Sequence, residues 1–172
     1  MSTWISHLRI AENLLNHLPQ LDEVQFTYGN LAPDSGYPNE DWSQFEPPKT
    51  RTHYLPEGSG ESGARDLLFW REYLAGVDRG DSARYSFLLG YFLHLVTDRL
   101  ASRRFGQSTR IYFDDLFSLK TASEAWDIIK TDWYGLDQRY VRDHPHSIFW
   151  RVFLPAPIPP CRPRSSRNPK YH

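Results

Sequence analysis

The stretch YSFLLGYFLHLVTDRL, from Tyr85 to Leu100, decides the fold class. It is apolar on nearly every side, and a helix of that kind belongs in the centre of a domain. It has 16 residues and polar flanks, which is too short for a membrane span of about 20 apolar residues. His94 and Asp98 lie four apart within it, so both side chains leave the same face of the helix. An ionised carboxylate among Phe92, Leu93, Leu95 and Val96 is disfavoured unless it is paired or holds a metal. Two readings fit the pair. One is a core hydrogen bond from His94 to Asp98; the other is two ligands for one cation.

On either side of this helix the apolar spacing repeats every three or four residues. Trp4, Leu8, Ala11, Leu15 and Leu18 predict a first helix over 3–18, started by Ser2 or Thr3 and ended by Pro19. The central helix is predicted over 81–102, with further helices over 65–76, 109–118 and 121–142 and a last turn or two over 147–154. Residues 27–63 read as irregular, with five prolines and five glycines. A loop that long in a compact domain is either functional or disordered. Tyr28, Tyr37, Trp42, Phe45 and Tyr54 favour one pinned against the domain, with 56–63 more mobile. No alternating apolar-polar run predicts a sheet. The expected fold is all-α: a multi-helix bundle with a long irregular loop after the first helix.

The chain has 172 residues, enough for one domain with a real core, expected over 1–154. Its 40% hydrophobic and 15% aromatic content excludes a disordered chain. A net charge of −1 gives no field drawing it to nucleic acid, and no nucleic-acid partner is expected. The single Cys161 excludes an internal disulfide and sulfur-held zinc, so metal ligands must be His, Asp or Glu. The amino-terminal residues lack signal-peptide character and no run of 18 apolar residues occurs; the expected location is cytoplasmic. Residues 155–172 are rich in Pro and Arg and read as a disordered or truncated tail, unable to supply a helix that closes the core. The oligomeric state is not legible.

Four more residues bear on the metal reading. His7 lies about 60° from Trp4 on a helical wheel, at the border of the first apolar stripe. A core histidine would sit there equally well. Asp34, in GNLAPDSG, has the setting of a turn-capping aspartate. His53, in RTHYLP, falls within the long loop. Asp66 opens a predicted helix, where an acid complements the dipole.

Taken in order, SHLRIAENLL, YGNLAPDSG, THY and FLLGYFLHLVTDRL resemble the zinc-dependent phospholipase C family, across residues 4 to about 100. The resemblance implies a helical fold shared with single-strand-specific zinc nucleases, a cluster of up to three zinc ions, and hydrolysis of phosphodiester bonds. The family's ligands match Asp34, His53, His94 and Asp98 for one zinc. They match His7 for a second, with Asp98 bridging. The family's amino-terminal tryptophan, a ligand through its backbone amine, has its nearest match in Trp4, here preceded by three residues. The third zinc needs two further histidines and a glutamate in an HxxxE pair. No histidine occurs between 99 and 143; Asp132 or Asp137 is the nearest acidic substitute, and a solvated helix face explains both equally. One or two Zn²⁺ are therefore expected.

The resemblance thus implies a metal-dependent phosphodiesterase acting on a small-molecule or lipid phosphodiester. Asp34 is expected to serve as metal ligand and as the base that orients the attacking water, with Arg51 or Arg99 as phosphate-holding candidates, a plain surface charge being the rival reading of each. Tyr28, Tyr54 and Tyr91 are candidates to line the pocket, core packing being the rival role for Tyr91. The alternatives are a non-catalytic zinc-binding scaffold that has lost the full cluster, and a nuclease of the same fold.

Overall fold

Helix α5 (Ser82–Ala101) is the spine of the molecule. Its start is fixed by Asp81, whose side chain accepts from the Arg84 amide at 3.1 Å. The computed structural model describes residues 2–40 and 44–155. Trp42 and the tail from 156 onward lie outside the described residues.

Helix α1 (Trp4–His17) begins at Thr3, which caps the Ser6 amide, and buries His7, Leu8 and Ala11. The periodicity places these on one face. Helix α2 (Glu23–Leu31) is not legible as a helix in the sequence. The chain reads as irregular from residue 27 because of Gly29 and Pro33, yet Gly29 serves packing here. A Cβ on Gly29 would stand 2.0 Å from the Phe87 carbonyl oxygen, and one on Gly90 2.3 Å from that of Phe26. Helices α2 and α5 therefore cross backbone to backbone, which only glycine permits. Pro33 opens a 3₁₀ turn over Ala32–Asp34, where its missing N–H is not needed.

The long segment beyond Asp34 is less irregular than expected. Strands β1 (Tyr37–Pro38) and β2 (Phe45–Glu46) pair antiparallel, a two-residue ladder too short to show as alternation. A single helical turn, α3 (Lys49–Thr52), leads into His53. Helix α4 (Asp66–Phe69) widens into a π turn through Leu74. Helix α5 likewise widens at Ser102–Gly106 before α6 (Gln107–Tyr112) and α7 (Asp114–Leu119). Helix α8 (Ala122–Asp143) starts with a full capping box, Thr121 and Glu124 each serving the other's backbone.

The core gathers Leu8, Ala11, Leu21, Phe26, Leu31, Ile148 and Val152. Ile148 and Val152 come from the turn after α8. Residues before 155 thus contribute to the apolar seal of the core. Glu12 ties this end down, accepting from the Ile148 amide at 3.1 Å and from the Tyr140 hydroxyl at 3.0 Å. The fold is all-α as expected, with the two-residue ladder as its sole sheet among the described residues. No described helix is long and apolar enough to cross a membrane.

Candidate metal centre

His94 leaves the middle of α5 and is fully buried. Its Nδ1 lies 2.7 Å from the backbone carbonyl oxygen of Asn30, the α2 residue just after Gly29. A carbonyl only accepts, so Nδ1 carries the hydrogen and Nε2 presents a lone pair. Asn30 also donates through Nδ2 to the Gly90 carbonyl at 3.3 Å. The glycine crossing thus sets both the position and the tautomer of His94.

Around that lone pair the other candidates converge. His53 Nε2 is 3.2 Å from His94 Nε2 and 3.2 Å from Asp34 Oδ1. Asp98 Oδ2 is 3.6 Å from His94 Nε2 and 3.7 Å from His53 Nε2. His7 Nε2 is 3.3 Å from Asp98 Oδ1, and the His7 ring stacks on His94 with centroids 3.9 Å apart. Residues 7, 34, 53, 94 and 98 are therefore neighbours in space. Both ring nitrogens of His7 and Oδ1 of Asp34 are buried without an aligned hydrogen bond. So many buried donor atoms facing one another without full pairing are costly unless something sits between them.

The donor set and its spacing fit zinc. Two ligands each about 2.0–2.1 Å from a tetrahedral zinc stand about 3.3–3.5 Å apart. The observed separations bracket that value. Candidate ligand atoms of Asp34, His53 and His94 lie within 4.8 Å of one another, as do those of His7, His94 and Asp98. The carbonyl on His94 Nδ1 is the kind of outer partner that holds a metal-binding imidazole.

Electrostatics prepare the same arrangement. Burial lowers the His94 pKa from 6.5 to about 3, reinforced by neighbouring His7, so the ring is neutral. Burial pushes the Asp34 carboxyl up, but contact with His53 and the charge of Lys49 outweigh it and hold it below the carboxylate range. Asp98 follows the same pattern, with burial opposed chiefly by His7. Neutral imidazoles and ionised carboxylates are the forms that bind metal.

The Ser2 backbone nitrogen, not that of Trp4, donates to Asp98 Oδ1, at 3.0 Å. Trp4 packs edge-on against Phe153. Arg99 pairs with buried Asp66 at 2.7 Å, so Asp66 is more than a helix-dipole acid. Arg51 is exposed.

A cleft of about 960 Å³ opens onto Asp34 and Asp98. Its walls include Phe45, Trp133, Tyr134 and Trp150, with Lys49 and Lys130. Tyr28, Tyr54 and Tyr91 are not among its lining residues. The Tyr28 hydroxyl donates to the Val152 carbonyl at 3.4 Å, Tyr91 donates to that of Thr52 at 2.6 Å, and Tyr54 packs on Phe69. Asp137 lines the cleft and burial raises its pKa, whereas Asp132 is exposed. Neither aspartate joins a described group able to hold a metal. Lys49 is not singled out by the sequence. Its signal is the spacing of four to His53, hidden because PPKTRTH does not look helical.

Against known families, the sequence model described as zinc dependent phospholipase C matches residues 6–101. The chain belongs to this family. The matched span runs from α1 to the end of α5 and carries all five candidate ligands of the zinc-dependent phospholipase C resemblance. No curated protein and no solved structure matches the chain.

Proposed function

We propose that the protein is a zinc-dependent phosphodiester hydrolase of the phospholipase C type. In this reading Asp34, His53, His94 and Asp98 hold one ion, and His7 with Asp98 holds a second. The observation that carries the reading is the meeting of three buried histidines and two carboxylates, with ligand-like separations, at the foot of an open cleft. When bound, zinc supplies Lewis-acid polarisation of the phosphoryl group and a bound water of lowered pKa.

The chain's own groups do the rest. Asp34 is held ionised at the cleft floor, so it accepts a hydrogen bond from the attacking water and fixes its direction. The Asn30 carbonyl keeps His94 in the tautomer that presents Nε2 inward. Phe45, Trp133 and Trp150 offer apolar walls to the part of the diester that leaves.

The test is zinc content by elemental analysis, in the parent and in a His94→Ala, Asp98→Ala double mutant. One or two zinc ions in the parent and none in the mutant support the site. A parent that takes up no zinc, even when refolded with it, sinks the reading. Turnover of a soluble choline phosphodiester, compared with single-stranded DNA, then separates the phospholipase-like reading from a nuclease. Zinc without turnover of either supports a scaffold.

A further inference from the structure

Once Asp34 and Asp98 are given to metal, the charge left in the cleft is positive. Six charged residues line it: Asp34, Asp98 and Asp137, and Lys49, Lys130 and Arg142. Arg142 is taken by Asp143, with Nε 2.8 Å from Oδ1. Asp137 is buried in the cleft wall, where burial pushes its pKa up and disfavours the charged form. That leaves the two lysines. Lys49 stands at the rim, its side chain 48% exposed and its Nζ 3.3 Å from Asp34 Oδ1. With Asp34 engaged as a metal ligand, the Lys49 ammonium would be available to whatever enters. Lys130 reaches the cleft from α8, half-buried, and makes no ion pair among the described residues. A half-buried ammonium beside aromatic walls is poorly solvated and favours an anion.

We infer that Lys49 and Lys130 are a two-sided clamp for the phosphoryl oxygens of an anionic substrate, one from α3 and one from α8. The inference deepens the reading of the cleft as a phosphodiesterase site and rests on it. It also sets the substrate's character. A cleft that presents two ammonium groups beside aromatic walls takes an anionic phosphate ester.

The probe is inorganic phosphate, titrated calorimetrically into the full chain with and without zinc, beside zinc analysis of every sample. Lys49→Met and Lys130→Met are each expected to weaken phosphate binding about tenfold while zinc content stays at the parent's level. Lys49→Arg should recover most of the loss, because the cation is kept. Variants within twofold of the parent at full zinc content overturn the clamp. Loss of zinc from Lys49→Met also overturns it for Lys49, whose part would then be to hold Asp34. A parent that takes up no zinc removes the metal reading, and with it the premise that releases Lys49 from Asp34. A parent that binds zinc but no phosphate removes the clamp alone.

Discussion

The Nδ1 of His94 and the backbone carbonyl oxygen of Asn30 lie 2.7 Å apart in the buried centre of the molecule. That contact orients the imidazole in its neutral form, and burial takes its pKa from 6.5 to about 3. The unfolded chain therefore binds a proton here that the folded chain refuses between those values. Stability of the metal-free protein is then lost as pH falls through that window. Asp34 and Asp98 act in the same direction, since their carboxyl groups are held below the usual range in the fold and lose their contribution on acidification. Urea unfolding followed from pH 7.5 down to 4 should show a falling midpoint. A flat profile would argue that the cluster protonates freely and is open to water.

The crossing of Gly29 and Gly90 makes a second prediction. Alanine at either position must push α2 and α5 apart, because its Cβ would meet backbone at 2.0 or 2.3 Å. Each substitution should cost about 2 kcal/mol or more by chemical denaturation. Zinc affinity should weaken along with stability, since the same crossing seats His94 on Asn30.

Arg99 and Asp66 give a third. Their contact is 2.7 Å, and the Asp66 side chain is almost wholly buried. Arg99→Met strands that carboxylate and should cost about 3 kcal/mol. Adding Asp66→Asn should recover part of the loss, and a double-mutant cycle reads the coupling. Equal stability in all four proteins would mean that water already satisfies Asp66.

Metal removal gives a fourth. A ligand present at a hundred times its Kd stabilises the folded state by about 2.7 kcal/mol. For a domain of this size that is about 5–10 °C in Tm. Chelation should lower the melting temperature by that amount in the parent and leave the His94→Ala, Asp98→Ala protein unchanged.

Period made the helices legible in the sequence, whereas Asp34, His53 and the metal role of His7 were reached only through the family resemblance. The apolar run around His94 and Asp98 is helical at every scale, so both its place in the core and the shared direction of the pair could be read. Helix α2 could not, because Gly29 looks like a breaker until its partner Gly90, far along the chain, is known. Lys49 and His53 fall in a proline-led stretch whose single helical turn is held by tertiary contacts, not by propensity. For Asp66 and Arg99, each has an ordinary local reading as a dipole acid and a surface charge, and only the fold reveals that they are a pair. In each case the missing information was a contact between distant segments.

The five candidate ligands come from α1, the 3₁₀ turn after α2, the end of α3, and α5. None of these segments can assemble the centre by itself, although α5 supplies two adjacent donors. A cation shared among them acts as a removable cross-link: it ties remote stretches of backbone into closed loops and lowers the entropy of the chain wherever it persists before folding is complete. The moment of zinc addition then becomes a variable of refolding. Supplied after α2 has crossed α5, the ion meets a prepared seat. Supplied to the open chain, it can be captured first by His17, His144 or His146, which have no place in that seat, and each such capture must be undone before the native loops can close.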